Sequence, residues 1–172
     1  ATALTYTLAA ALAEDISPGD EIIVTDTDHE ANIGPWLKLE QQKGAVIKTW
    51  GLRHDTLELE LADLDALMTP RTKLVAFTHA SNIFGAIHPV AEITRFVHDR
   101  GAKVCVDGVA YAPHRAVEVA SWDVDFYIFS FYKVYGPHHA VLYGKYDQLL
   151  ALHSLNHFFI GREVVPYKLQ QG

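Results

Sequence analysis

A lysine and an aspartate, each just after a predicted strand, are the residues whose types and spacing most suggest chemistry. Lys133 follows the apolar run 126–129 and Ser130, and Asp107 follows the apolar run 102–106. They lie 26 positions apart (133 − 107). A carboxylate and an amine at strand ends can hold both ends of pyridoxal phosphate (PLP): the carboxylate pairs with the pyridine nitrogen, and the amine forms a Schiff base with the aldehyde. PLP is therefore the predicted cofactor.

The flanks of Lys133 distinguish it from an ordinary loop lysine. Phe131, Tyr132, Val134 and Tyr135 surround it in the sequence, and we expect them to shield its amine from water. A desolvated lysine has a lowered pKa and can act as a nucleophile. The alternative is a solvated loop residue, the usual role of a lysine after a strand.

Asp107 also has a simpler alternative, because an aspartate at the end of a strand often caps a helix. The adjacent Gly108 permits a close approach of another group to the backbone.

Other polar residues follow the predicted strands 21–25 and 73–78. They are Asp28, His29, His79, Ser81 and Asn82. The ring of His29 is suited to stacking on a pyridine ring, although a surface histidine is the alternative. The hydroxyls of Thr2 and Ser130 are suited to a phosphate, and a helix N-terminus near Thr2 would add N–H donors.

Helical and strand patterns alternate along the chain. Predicted helices cover residues 3–14, 35–43, 60–68, 90–99 and 146–152. Predicted strands cover residues 21–25, 45–50, 73–78, 103–106, 126–129 and 140–143. Continuous apolar strands separated by helices predict an α/β fold of three layers with a mostly parallel sheet. Ligands bind beyond the carboxyl ends of such strands, where the polar residues lie.

Composition limits the function classes. A net charge of −7, with scattered basic residues, argues against a nucleic-acid surface. No apolar run is long enough for a membrane span, and the single Cys105 fits a reducing, cytoplasmic compartment. Ten histidines invite a metal hypothesis, but His138-His139 and the pair His153 and His157 lack the accompanying ligands of a zinc motif. We expect no metal.

Four ordered segments, 28–36, 78–90, 106–108 and 125–137, carry a resemblance to a known family. Over about residues 2–144 the chain resembles the class V aminotransferase family of fold-type I PLP enzymes. It is most similar to the cysteine desulfurases and selenocysteine lyases, as a divergent branch. The resemblance implies that residues 1–150 are part of the large PLP-binding domain. Residues 151–172 would begin the connection toward a C-terminal domain, and both ends of the fold would be truncated.

The resemblance also implies a role for each candidate residue. Lys133 would form the Schiff base and move protons, and His29 would stack on the cofactor. The remaining cofactor-binding residues would be Thr2, Asn82, Asp107, Ser130 and Tyr132.

Two positions depart from the desulfurase pattern. Ala110 stands where a glutamine usually binds the phenolic oxygen of the cofactor, and Tyr132 stands where a histidine lies near the phosphate. A tyrosine hydroxyl is able to replace that donor. Cys105 is not at the position of the desulfurase nucleophile, so a buried structural thiol is expected there.

The function implied by the resemblance is cleavage of the C–S or C–Se bond of an amino acid, cysteine or selenocysteine, by a homodimeric enzyme. Transamination or another β-elimination is the alternative within the family. A non-catalytic remnant of the fold and a histidine-rich metal-binding protein are alternatives from other classes. Retention of both Asp107 and Lys133 argues against the remnant, because a core needs neither.

Overall fold

The computed structural model describes residues 1–165 and 167–170 of the chain. Its α-helices are α1 (Thr2–Leu12), α2 (Gly34–Lys43), α3 (Leu61–Leu67), α4 (Val90–His98), α5 (Val119–Trp122) and α6 (Tyr146–Ala151). Its strands are β1 (Glu21–Thr25), β2 (Val46–Trp50), β3 (Thr72–Thr78), β4 (Lys103–Asp107), β5 (Phe126–Ser130) and β6 (Ala140–Gly144). Residues 166, 171 and 172, which belong to the predicted connecting segment, lie outside the described residues.

The six strands form one sheet in the order β2-β1-β3-β4-β5-β6. The first five are parallel to their neighbours, and β6 runs antiparallel to β5. The chain moves from β1 outward to β2 and then returns to the other side of β1 to form β3. This reversal creates a crevice between the carboxyl ends of β1 and β3, where doubly wound sheets bind ligands.

Alternate residues of each strand pack against helices on opposite faces of the sheet. On one face, Ile22 and Cys105 pack in a cluster with the buried sides of α1 and α2. On the other face, Ile23 and Val104 pack in a cluster with α3 and α4. These two hydrophobic cores make the three predicted layers, so the predicted α/β fold with a mostly parallel sheet is confirmed.

Local sequence signals account for the ends of α2. Pro35 occupies the first turn, where its missing N–H costs nothing. Gly44 ends the helix at φ 70° in the left-handed conformation that glycine adopts without strain. The predicted boundaries of the other helices and strands likewise lie within about two residues of the observed ones. Among the described residues, no helix combines the length and the apolar character needed to cross a bilayer.

Candidate active site

A cavity of about 400 Å³ opens at the carboxyl ends of the parallel strands. All seven residues predicted from the sequence line it. They are Thr2, His29, Asn82, Asp107, Ser130, Tyr132 and Lys133. They come from α1, from the loops after β1 and β3, and from the ends of β4 and β5. The sheet therefore gathers residues separated by most of the chain.

Asp107 is the last residue of β4 and is almost fully buried. Its Oδ1 accepts a hydrogen bond of 2.8 Å from the N–H of Val109. The described residues supply no donor to its Oδ2. Burial raises the pKa of Asp107, while the Val109 N–H and the nearby His29 act to lower it. Because burial disfavours the charged form of Asp107, a cation bound beside it in the cavity would stabilise its carboxylate.

A series of turns, rather than an assigned helix, follows Asp107, and Asp107 caps the first of them through the N–H of Val109. The close approach expected at Gly108 is also observed: a Cβ atom there would lie 2.2 Å from the ring of Tyr127. Only glycine fits at position 108, because any side chain there would collide with the ring of Tyr127. Gly108 thus fixes the path of the backbone that leaves Asp107.

Lys133 lies in a single 3-10 turn, Phe131–Val134, that follows β5. The expectation that aromatic neighbours bury its amine is wrong, because Tyr132 is 48% and Tyr135 101% exposed and Lys133 itself is exposed. Tyr135 adopts φ 64° and is fully exposed, while the Lys133 Nζ atom lies 5.6 Å from the centroid of the half-exposed Tyr132 ring. No ion pair joins Lys133 to a described residue. Its amine is accessible from the cavity that it lines.

His29 lies at the start of a short 3-10 turn, Glu30–Asn32, after β1. Its Nδ1 accepts a hydrogen bond of 3.1 Å from the N–H of Ala31. In the neutral imidazole this bond assigns the ring proton to Nε2. The turn therefore sets both the orientation and the tautomer of a ring that borders the cavity.

Three candidates suit an anionic group at the edge of the cavity near the start of α1. Ser130 is buried, and its Oγ accepts a hydrogen bond of 2.7 Å from the main-chain nitrogen of Ala1. Its hydroxyl hydrogen has no acceptor among the described residues. Thr2 begins α1, where the first N–H groups lack partners within the helix. Tyr132 borders the same cavity, and its ring stacks on His138 at 5.1 Å.

Asn82 lies on a turn after β3 that Ser81 shapes. The buried Ser81 Oγ accepts hydrogen bonds from the N–H groups of Ile83 (3.2 Å) and Phe84 (3.3 Å), and it donates to the carbonyl of Thr27 (3.3 Å). These bonds tie the turn to the loop after β1. Asn82 projects from it into the cavity lining.

His79 lies behind the cavity, in an aromatic cluster. Its ring stacks on Tyr111 at 3.4 Å, and its Nδ1 is 2.9 Å from the hydroxyl of Tyr127. Burial lowers the pKa of His79 to about 4, so the ring is neutral near pH 7. The main-chain N–H of His79 donates to the main-chain carbonyl of Asp107 at 2.8 Å. His79 is therefore a buried packing residue that supports the end of β4.

Asp28 carries a contact network that sequence reasoning did not assign. It is buried and accepts hydrogen bonds from Thr25, Asn32 and Thr78. Burial raises the pKa of Asp28 to about 7, although these three donors act to lower it. The signals in the sequence were its position after the predicted strand 21–25 and directly before His29.

Ala110 and His114 also line the cavity. The remaining lining residues are Ala1, Ala31, Thr78, Ala80, Val109 and Pro113. The methyl group of Ala110 offers no hydrogen bond, as the sequence indicated. Cys105 is fully buried in the core, as expected. Among residues 1–165 and 167–170, no group of three or more histidine, cysteine or acidic side chains is arranged to hold a metal ion.

Comparison with known proteins gives one family. The sequence model of the family described as "Aminotransferase class-V" matches residues 1–165. The aminotransferase-like protein FGM3 of Gibberella zeae is 50% identical over 156 residues, which cover 88% of this chain and 38% of that protein. A cysteine desulfurase of Dickeya dadantii is 46% identical over 136 residues, which cover 78% of this chain and 33% of that protein.

A solved structure gives the same result for the fold. The cysteine desulfurase CsdA of Escherichia coli superposes with a TM-score of 0.84 at 37% identity, over 89% of this chain and 39% of that one. The chain spans about a third of the length of these two curated relatives.

Proposed function

Because the chain belongs to the class-V aminotransferase family, we propose that residues 1–150 form the PLP-binding part of an enzyme that cleaves the C–S or C–Se bond of cysteine or selenocysteine. The observation that carries this proposal is the meeting of Asp107 and Lys133 on one cavity at the carboxyl edge of the sheet. Neither residue is needed for a hydrophobic core. The carboxylate of Asp107 suits the pyridine nitrogen of the cofactor, and the amine of Lys133 suits its aldehyde.

The chemistry of the lining fits PLP. The Oδ2 atom of Asp107, on a largely buried residue that lines the cavity, has no donor among the described residues. It suits a protonated ring nitrogen, because an opposite charge offsets the cost of burying the carboxylate. The accessible amine of Lys133 suits the aldehyde carbon. The unused hydroxyl hydrogen of Ser130 and the first N–H groups of α1 suit a phosphate. When bound, PLP supplies an electron-withdrawing ring that stabilises negative charge at the Cα atom of an amino acid.

The residues of this chain then have distinct tasks. Asp107 would pair with the protonated ring nitrogen, and its burial would strengthen that interaction. Lys133 would hold the aldehyde end of the cofactor through its Nζ atom, and the same amine would serve as the acid and base at the Cα atom of the substrate. His29 would lie against one face of the ring.

Space for a substrate adjoins the cavity. A second hollow of about 470 Å³ shares Asn82, Ala110 and His114 with it and extends to Arg115. The side chain of Arg115 makes no ion pair with the described residues. This hollow is large enough for an amino acid beside the cofactor.

The bond cleaved is inferred from the relatives. Similarity to cysteine desulfurases over three quarters of this chain favours cysteine or selenocysteine as the substrate class. Similarity to an aminotransferase-like protein keeps transamination as the second candidate. The fully buried Cys105 does not reach the cavity, so it has no part in accepting sulfur.

The proposed assembly is a homodimer, and the proposed location is the cytoplasm. Large apolar side chains are exposed beside the cavity, including Ile83 and Phe84 on one loop and Tyr132 and Tyr135 on another. Such a surface is typical of an interface with another chain. A lone buried thiol accords with a reducing compartment.

Chemical trapping tests the proposal. The protein at its full natural length is incubated with PLP, reduced with borohydride, and digested for peptide mass spectrometry. A pyridoxyl group on the Nζ atom of Lys133 is expected. Lys133→Arg should remove it, whereas Lys38→Ala, a change on the exposed side of α2, should not. A folded wild-type protein without modified Lys133 would overturn the proposal.

A further inference from the structure

We infer that Asp28 is a positioning residue for the PLP site, which it serves by joining the His29 turn to the end of β3 beside Asp107. The inference rests on the proposed function, because the site it supports is the one assigned to PLP. Asp28 does not line the cavity, so any effect that it has on cofactor binding must pass through these neighbours.

The contacts of Asp28 join three separate segments. Its Oδ1 accepts a hydrogen bond of 2.7 Å from the side-chain amide of Asn32, at the end of the 3-10 turn that His29 begins. Its Oδ2 accepts hydrogen bonds from the hydroxyl of Thr25, the last residue of β1, and from the N–H of Thr78 at 3.1 Å. One side chain thus joins the carboxyl ends of β1 and β3 at the switch point.

On one side, this network determines where His29 lies. Asp28 precedes His29 directly, and Asn32 ends the turn in which Ala31 holds the imidazole. If Asp28 is removed, the turn loses its link to Thr78, while the contacts of Thr27 with Ser81 and Thr25 remain. We expect the ring then to tilt away from the cavity more easily.

On the other side, the network reaches Asp107. Thr78 pairs with Asp107 in the register of β3 and β4, and the hydroxyl of Thr78 is 3.3 Å from the Asp107 carbonyl. The two carboxylates are close enough for Asp107 to raise the pKa of Asp28. The thiol of Cys105 on β4 is also near, since burial raises its pKa and both Asp107 and Asp28 raise it further. His29 adjoins Asp28 in the chain, and no described cation forms an ion pair with Asp28.

Three variants separate positioning from general stability. Asp28→Ala removes all three hydrogen bonds. Asp28→Asn keeps all three hydrogen bonds if the side-chain amide of Asn32 rotates. The side-chain oxygen of Asn32 then accepts from the introduced NH₂ group, and the introduced carbonyl oxygen still accepts from Thr25 and Thr78. Asp125→Asn is the matched control: Asp125 is equally buried and accepts a backbone N–H, from Val104 at 2.8 Å, but it lies at the opposite edge of the sheet.

The measurement is the Kd of PLP for the full-length protein, by absorbance titration, at a temperature where circular dichroism shows each variant folded. The pH profile of the bound-cofactor absorption band is recorded as well. Asp28→Ala should raise Kd by roughly tenfold or more, as expected for the loss of one or two supporting hydrogen bonds, and should displace the pH profile. Asp28→Asn should restore most of the affinity. Asp125→Asn should change Kd by less than about twofold while lowering the melting temperature.

The outcomes distinguish this inference from the proposed function. A wild-type protein that takes no PLP on Lys133 defeats the proposed function itself. A wild-type protein that is modified at Lys133, together with an Asp28→Ala variant of unchanged Kd and pH profile, defeats only the role of Asp28. If Asp28→Ala does not fold, Asn32→Ala frees the turn alone, and it must weaken PLP binding at least about threefold for the inference to stand.

Discussion

Replacing Gly108 with alanine should destabilise the protein strongly. The added Cβ would lie 2.2 Å from Cε1 and 2.3 Å from both Cζ and the hydroxyl oxygen of Tyr127. These distances are far below van der Waals contact, so either the ring or the loop after Asp107 has to move. Tyr127 is only 1% exposed and sits in the core beside Trp122, so the ring has little room.

The expected magnitude follows from what the movement breaks. Overpacking in a dense core costs about 1–3 kcal/mol. Displacing the ring also loses the hydrogen bond of 2.9 Å between the Tyr127 hydroxyl and His79, worth about 1 kcal/mol. The sum is about 2–4 kcal/mol, a large share of the roughly 5–15 kcal/mol that stabilises a typical domain.

Chemical denaturation followed by circular dichroism measures the change. Gly51→Ala is the matched control, because a Cβ at Gly51 meets only Asp26, at an ordinary 3.6 Å. Tyr127→Leu should cost much less in the Gly108→Ala background than in the wild type, since the shorter side chain removes the clash. A loss below about 0.5 kcal/mol for Gly108→Ala, or strict additivity of the two changes, would refute the reasoning.

Two buried groups should give pH dependences of opposite sign, each measured as the difference in unfolding free energy between wild type and variant across pH 4–8. Burial lowers the pKa of His79 from 6.5 to about 4 in the folded protein. Because the unfolded protein then binds the proton more tightly, the free energy of unfolding should fall as pH falls from 6.5 to 4. His79→Phe should remove this dependence on pH. Burial raises the pKa of Asp28 from 3.8 to about 7 in the folded protein. The stabilisation that comes from the protonated Asp28 is therefore fully present below about pH 4, and it is lost as pH rises to 7. Asp28→Asn should remove a change in the free energy of unfolding of up to about 1.4 kcal/mol per pH unit. If His79→Phe or Asp28→Asn leaves the pH dependence of the wild type unchanged, the pKa shift assigned to that residue is contradicted.

Strand periodicity was sufficient to predict the site's location. The apolar runs that end at Thr25, Thr78, Asp107 and Ser130 are buried parallel strands, and parallel strands bring their carboxyl ends to one edge. Polar residues that follow such runs therefore meet in space, even when they are a hundred positions apart. The order of the strands was not needed for this prediction.

The features that the sequence did not reveal depend on contacts between distant segments. The hydrogen bond from Thr78 to Asp28 spans 50 residues, and it exists only because β1 and β3 are neighbours in the sheet. The exposure of Lys133 was predicted wrongly for a related reason. Of the flanking aromatics, the Tyr132 ring lies 5.6 Å from the amine, but Phe131, Tyr132 and Tyr135 are all exposed, so they do not enclose it.

The composition of the cavity lining has a consequence for the order of folding. The lining includes Thr2 and Ser130, which lie 128 positions apart (130 − 2), and bringing such distant segments together carries a large loop-closure entropy. The cavity lining draws on both segments, so it is complete only after the sheet has been assembled from β1 through β5. A ligand of this cavity consequently binds the finished fold rather than an intermediate, and its binding free energy adds to the stability of the native state alone.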